Sequence, residues 1–226
     1  MSKDAPSQGV AGGGCLKLHL GCGQGVVEGW INVDYAVGAR FARIPLFRAF
    51  NRKYHWFNLD WDHRIFIHDL TTPFPWADGT ACCVYSSHTL EHLTREEGME
   101  FLRECHRVLC PGGLIRIVVP DLAFWISEYD AGRLPADEFV ERIGVLYERS
   151  GQPFKARLMP FIQFPHKCLY DESALILAMH GAGFVVAHRK PFESDIADIH
   201  NLESLGRTEY AVIVEGRKSG GETGAA

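Results

Sequence analysis

Seven short apolar runs, separated by segments of helical period, constrain this chain more than any other feature. They are CLKLHL (15–20), INVD (31–34), RIFIHD (64–69), ACCVYSS (81–87), LIRIVVP (114–120), GFVVAHRK (183–190) and EYAVIVEGRK (209–218). Runs of this length bounded by Gly, Pro and polar clusters read as strands. Their alternation with helix-like segments is the order of a parallel sheet with helices on its faces. The reading is an α/β domain: a Rossmann-like, doubly wound, mostly parallel seven-stranded sheet with helices on both faces.

The clearest helix lies between the fourth and fifth runs. Thr94 and Glu97 have the T-x-x-E spacing of a capping box, and Met99, Leu102, Cys105 and Leu109 recur along one face. Pro111 and the glycines after it stop the helix. A second amphipathic helix is predicted from Pro135 to Tyr147, with Phe139, Ile143 and Leu146 on its apolar face. A third starts after Asp171, an N-cap, and ends in HGAGF, where Gly181 or Gly183 takes a left-handed cap. Segments 36–63 and 120–170 exceed ordinary connections, so they are read as lids or substrate walls.

Composition narrows the setting. At 226 residues, 46% hydrophobic and 23% charged, the chain suits one domain with a sizeable core. That domain is placed at 15–218, between disordered tails at 1–14 and 219–226 that are rich in Gly, Ser and Ala. A net charge of −5 provides no basic field for nucleic acid, so no such partner is expected. No run approaches the roughly 20 apolar residues of a membrane span, and the first residues lack the apolar core of a secretory signal. The expected location is cytoplasmic. Seven cysteines without a C-x-x-C spacing indicate neither a disulfide framework nor a zinc ribbon, and read as small buried hydrophobes.

After the first run comes GCGQG, with Gly21, Gly23 and Gly25 at alternate positions, and Asp34 ends the second run. A dinucleotide fingerprint needs G-x-G-x-x-G, a helix, and an acidic residue about 20 positions on. Here Val26 stands at the third glycine position and Asp34 arrives too early for a full crossover helix, which weakens an NAD reading. Phosphate machinery is also missing, with no Walker lysine and no clear phosphate-binding helix. Glycines that let backbone approach a ligand, and a carboxylate that accepts from a ribose diol, suit a nucleoside without phosphates.

LHLGCGQG, INVDY, IHDL, PFPWADGTACCVYSSHTLEHL and ECHRVLCPGGLIRIVVPDL, in that order, resemble the successive motifs of class I S-adenosylmethionine-dependent methyltransferases. The nearest pattern is that of a bacterial subgroup with GWINVD, SSHxLEHL, RVLxPGG and VVPDL. The resemblance covers roughly residues 15–218 and implies a sheet ending in an antiparallel hairpin strand. It also implies that Gly21, Cys22 and Gly23 form the loop against the methionine and ribose. Asp34 would hold the ribose hydroxyls, Asp69 would sit by the adenine amino group with Leu70 against the ring, and Ser86 and Ser87 would lie near the methionyl end. The plain alternatives are turn glycines and a turn-capping Asp69. Two departures stand out: His19 replaces the acidic residue that many members carry two positions before the first glycine, and the first crossover is curtailed.

HTLEH raises a competing reading. His88, Glu91 and His92 spell H-x-x-E-H; on a helix, residues 88 and 92 share a face, ligate zinc and leave Glu91 as general base, as in a peptidase. The context is wrong for that enzyme, because the motif follows directly on a buried strand and only a short turn of helix separates it from Thr94. A milder version has a metal assisting methyl transfer through His88, His92, His166 and Asp121; the site assignment itself includes no metal. In a doubly wound sheet the site lies at the carboxyl ends of the strands, which singles out His88 and Asp121. His166 joins them if the 120–170 segment folds over the mouth. Histidine suits proton removal from a hydroxyl or amine near neutral pH. The expected function is methylation, on O or N, of a small-molecule or glycan-type acceptor. The other classes kept open are a non-methylating user of the same cofactor and a binding protein without catalysis. Residues 36–58, basic and aromatic, would wall the acceptor site or touch an anionic surface. Oligomeric state has no signal in the sequence.

Overall fold

The computed structural model of the chain describes residues 14–44, 61–146 and 164–220. Residues 1–13 and 221–226 of the expected tails lie outside them, as do 45–60, most of the basic stretch, and 147–163 of the long insertion. The strands are β1 (Leu16–Leu20), β2 (Ile31–Asp34), β3 (Phe66–Ile67), β4 (Ala81–Ser87), β5 (Leu109–Pro120), β6 (Phe184–His188) and β7 (Ala211–Lys218). The helices are α1 (Val37–Ala42), α2 (Arg95–Val108), α3 (Leu122–Asp130), α4 (Ala136–Arg142), α5 (Glu172–Gly181) and α6 (Leu205–Thr208), with 3-10 turns at Leu90–His92 and Ile199–Asn201.

The sheet order is β3-β2-β1-β4-β5-β7-β6. β1 to β5 pair in parallel, and β7 runs antiparallel to both β5 and β6. The chain winds outward from β1 to β3 on one side and from β4 to β6 on the other. β1 and β4 therefore flank the switch point, where a crevice opens beyond the strand ends. Register brings Leu20, Val33 and Ser86 to one level there, and Ser86 lies opposite Ile117 on β5.

Apolar side chains explain the layers. On one face Leu18, Leu20, Val84, Ile115 and Ile117 pack with Phe101, Leu102 and Cys105 of α2 and Leu175 and Met179 of α5. On the other, Tyr85, Val118 and Ile213 pack with Trp30, Ile196, Ile199 and Leu202. β5 also carries Arg116, fully buried against Glu203 at 2.7 Å and Glu215 of β7 at 3.3 Å. Two carbonyls, Lys190 O and Glu193 O, accept its remaining hydrogen bonds.

The predicted capping box is present: Thr94 Oγ1 accepts from Glu97 N while Glu97 Oε2 accepts from Thr94 N. Asp171 caps α5, and Gly183, at φ +97°, takes the left-handed turn beyond it. Other boundaries move. Only Phe66 and Ile67 of the third run pair, because Asp62 and Asp69 close turns through Arg64 N and Thr71 N on either side. β5 begins at Leu109 rather than 114; its register shifts opposite Ala81 and Cys83, where Gly112 adopts φ +78°. α4 stops at Arg142, before a left-handed Gly144, so Leu146 is exposed instead of joining an apolar face; Tyr147 lies outside the described residues. β7 starts after Tyr210, whose φ of +56° breaks the strand.

Candidate functional site

The glycine loop leaves β1 at the switch point, and residues 21–30 reach β2 by turns alone. Parallel neighbours usually need a helical crossover. Here the buried Asn32 replaces it: its Nδ2 donates to Val27 O and Trp30 O, and its Oδ1 accepts from Val27 N. Gly21 N and Cys22 N both donate to Val33 O, turning the loop over the end of β2. Gly21 and Gly23 sit at φ +71° and +57°, and a Cβ on Gly21 would fall 1.9 Å from Thr89 Oγ1. Glycine at 21 is therefore required by packing as well as by backbone.

Asp34 ends β2 with its carboxylate fixed from two sides. Gly23 N donates to Oδ2 at 2.8 Å and Ala36 N to Oδ1 at 2.7 Å. Each oxygen keeps a lone pair, so an oriented acceptor faces the crevice next to the glycine loop. Cys22 is buried, and burial, reinforced by Asp34, pushes its thiol up to about 12, which leaves it an inert wall. Asp69 Oδ1 accepts from Thr71 N and Oγ1, the turn-capping arrangement, while the Leu70 side chain is buried in the main core. Ser86 and Ser87 are buried at the end of β4, and neither Oγ has a partner among the described residues.

Beyond Ser87, His88 takes a left-handed backbone at φ +53°, and only residues 90–92 form a 3-10 turn. Residues 88 and 92 therefore do not share a face of one α-helix, which corrects the H-x-x-E-H expectation. His88 Nε2 lies 2.8 Å from Arg207 O, and its Nδ1 lies 3.4 Å from Glu91 Oε1. The chain returns after residue 163 to the same place. Lys167 N and Cys168 N donate to Glu91 O, and His166 Nε2 stands 4.0 Å from Glu91 Oε1. The rings of His92 and His166 meet edge to face at 5.0 Å. Asp121 lies at the same end of the sheet, where its Oδ1 caps α3 through Ala123 N and its backbone bridges to Tyr170. His88, Glu91, His92 and His166 thus come together, while Asp121 follows on the neighbouring strand.

Residues 18–117 match the family model of a methyltransferase domain. The stretch runs from β1 into β5 and contains the glycine loop, Asp34, Asp69, Ser87 and His88. No curated protein matches the sequence. Among solved structures, an S-adenosylmethionine-dependent methyltransferase from Methanosarcina mazei is similar over 91% of this chain and 93% of its own, at 15% identity and a TM-score of 0.51. One from Mesorhizobium loti is similar over 91% and 92%, at 19% identity and a TM-score of 0.48. A third similarity, over 91% and 83%, is to a Haloferax volcanii complex between the Trm112 methyltransferase activator and the putative methyltransferase, at 14% identity and a TM-score of 0.47. Over residues 18–117 the chain therefore matches a methyltransferase domain, and its seven-stranded fold is similar to that of the Methanosarcina mazei protein. Among the described residues no helix is long and apolar enough to cross a membrane.

One residue of the site escaped the sequence reading, and a second was read without its burial. Arg207, on α6, donates from NH2 to Ser87 O at 3.2 Å, and its NH1 lies 4.0 Å from where a Cβ on Gly23 would stand. Nothing local marks it, since 120 positions separate it from Ser87. Glu91 was visible only as the middle of H-x-x-E-H; its burial, with 1% of the side chain exposed, needed the fold. His19, in the position where an acidic residue was expected, packs on Tyr85 and bonds Asn32 Oδ1 at 3.1 Å. Burial pulls its pKa down to about 4, so it stands neutral and supports the loop from below.

Proposed function

We propose that this chain transfers the methyl group of S-adenosylmethionine to the oxygen or nitrogen of a small-molecule or glycan-type acceptor. The observation that carries the proposal is the pairing of the positive-φ glycine loop with the oriented Asp34 carboxylate at the switch point. The residues fit the nucleoside part of the cofactor: Gly21, Cys22 and Gly23 would line the methionine and ribose, and Asp34 would accept from the ribose hydroxyls. Asp69 Oδ2 and Leu70 would meet the adenine, and the hydroxyls of Ser86 and Ser87, which have no partner among the described residues, would face the methionyl end. Arg207 supplies the cation for the methionine carboxylate.

The bound cofactor supplies a methyl group made electrophilic by its sulfonium. The chain's own task is then alignment and proton removal, and alignment alone is worth on the order of 7–11 kcal/mol in favourable cases. His88 is proposed as the base, with Nε2–H held by Arg207 O and Nδ1 lying 3.4 Å from Glu91 Oε1. Asp121 and His166 flank it, and segments 36–63 and 120–170 are proposed as walls of the acceptor site. Calorimetry with S-adenosylmethionine and its demethylated product tests the reading. Wild type and His88→Ala should bind both, and Asp34→Ala should bind at least about tenfold more weakly, for the loss of one charge-assisted contact. Absence of binding by wild type would overturn the proposal.

A further inference from the structure

Glu91 presents a problem that methyl transfer does not explain. Its side chain is 1% exposed, yet neither carboxylate oxygen has a hydrogen-bond partner among the described residues. The adjacent cation, Lys167, turns instead to Glu97 at 3.3 Å. A buried carboxylate without compensation is costly, so something of positive charge belongs beside it.

The surrounding imidazoles are oriented to receive it. His166 Nδ1 lies 2.7 Å from Ile143 O, a pure acceptor, so that nitrogen carries a proton, and in the neutral ring the lone pair of Nε2 is turned toward Glu91. His92 Nδ1 is buried and has no hydrogen-bond partner among the described residues. Ligand atoms of Glu91, His92 and His166 all lie within 4.8 Å of one another. A ring nitrogen donating to a backbone carbonyl, with the opposite nitrogen free, is the orientation that metal-ligating histidines adopt.

We propose that Glu91, His92 and His166 form a binding site for one divalent transition-metal ion. Two imidazoles and one carboxylate suit zinc, cobalt, iron or nickel better than magnesium or calcium. An ion with bonds of about 2.0–2.2 Å would draw the three atoms together by small side-chain rotations. Three protein ligands leave coordination positions open, and His88 Nδ1, 3.4 Å from Glu91 Oε1, borders them. The ion satisfies Glu91 and engages both imidazoles at once, which a single proton on one of the three groups does not. The site stands without the cofactor; that its open positions receive an acceptor hydroxyl rests on the methyl-transfer reading. His166 then holds the ion instead of moving a proton.

The full chain, stripped with a chelator, should be titrated with Co2+ followed by absorbance and with Zn2+ followed by calorimetry. One equivalent of each is expected, with the ligand-field bands of a four- or five-coordinate cobalt ion. His92→Gln and His166→Gln should each weaken binding by more than the ~10–100-fold that loss of an outer-shell partner costs, with far-UV circular dichroism unchanged. Asp34→Ala should keep full metal affinity while losing the cofactor, which separates this proposal from the previous one. No stoichiometric binding by wild type, or undiminished binding by both glutamine variants, would overturn the site.

Discussion

His19 shows how much one side chain can owe to its surroundings. Asn32 Oδ1 already accepts from Val27 N, and its Nδ2 donates twice, so the His19 ring must donate from Nδ1. Burial disfavours a second proton and holds the folded pKa at about 4, against an ordinary 6.5. Between those values the unfolded chain binds more protons than the folded one, so stability rises with pH across the window and is lost as pH falls through it. His19→Asn retains a donor but cannot titrate. The loss of unfolding free energy between about pH 7 and pH 4.5 should shrink by about 2 kcal/mol in this variant, measured by urea denaturation. An equal loss in both proteins would show that His19 is not the responsible group.

At the scale of elements, α2 was legible because its signals are local. Thr94, Glu97 and the apolar residues after them act within one helix turn or along one face, and the capping box formed at the expected residues. Thr94→Ala should lower stability by about 1 kcal/mol without changing the fold, measured by thermal or denaturant unfolding. The shortness of the turn before Thr94 was legible, but not that it would be the 3-10 turn at 90–92. What stopped the helix was the left-handed backbone at His88, tied on one side to Val118 O through its own N–H and on the other to Arg207 O. Similarly, Leu146 had the right spacing for an apolar face, but the chain turned at Gly144 before it could be used.

Across the whole molecule, the C-terminal antiparallel pair is joined to the parallel half by ion pairing as well as by β5. Arg116, Glu203 and Glu215 come from positions up to 99 residues apart and meet where water is excluded. Breaking such a group by removing its cation strands two buried carboxylates. Arg116→Met should therefore cost on the order of 3–5 kcal/mol in chemical denaturation. A conservative Arg116→Lys should recover only part of that loss, since a lysine cannot reach both carboxylates and both carbonyls in one plane.

Local signals were enough for the strand series, the helix with its capping box, the glycine loop and the place of Asp34 at the end of β2. Each of these depends on period, turn chemistry or spacing within a few tens of residues. That Arg207 stands by the glycine loop and that His166 meets Glu91 and His92 became visible in the fold alone. Those meetings depend on register between strands and on where an insertion returns, and the energy that selects them comes from burial of groups distant along the chain. The same physics explains why Glu91, in the sequence only a member of H-x-x-E-H, becomes in the fold a buried carboxylate with no hydrogen-bond partner among the described residues.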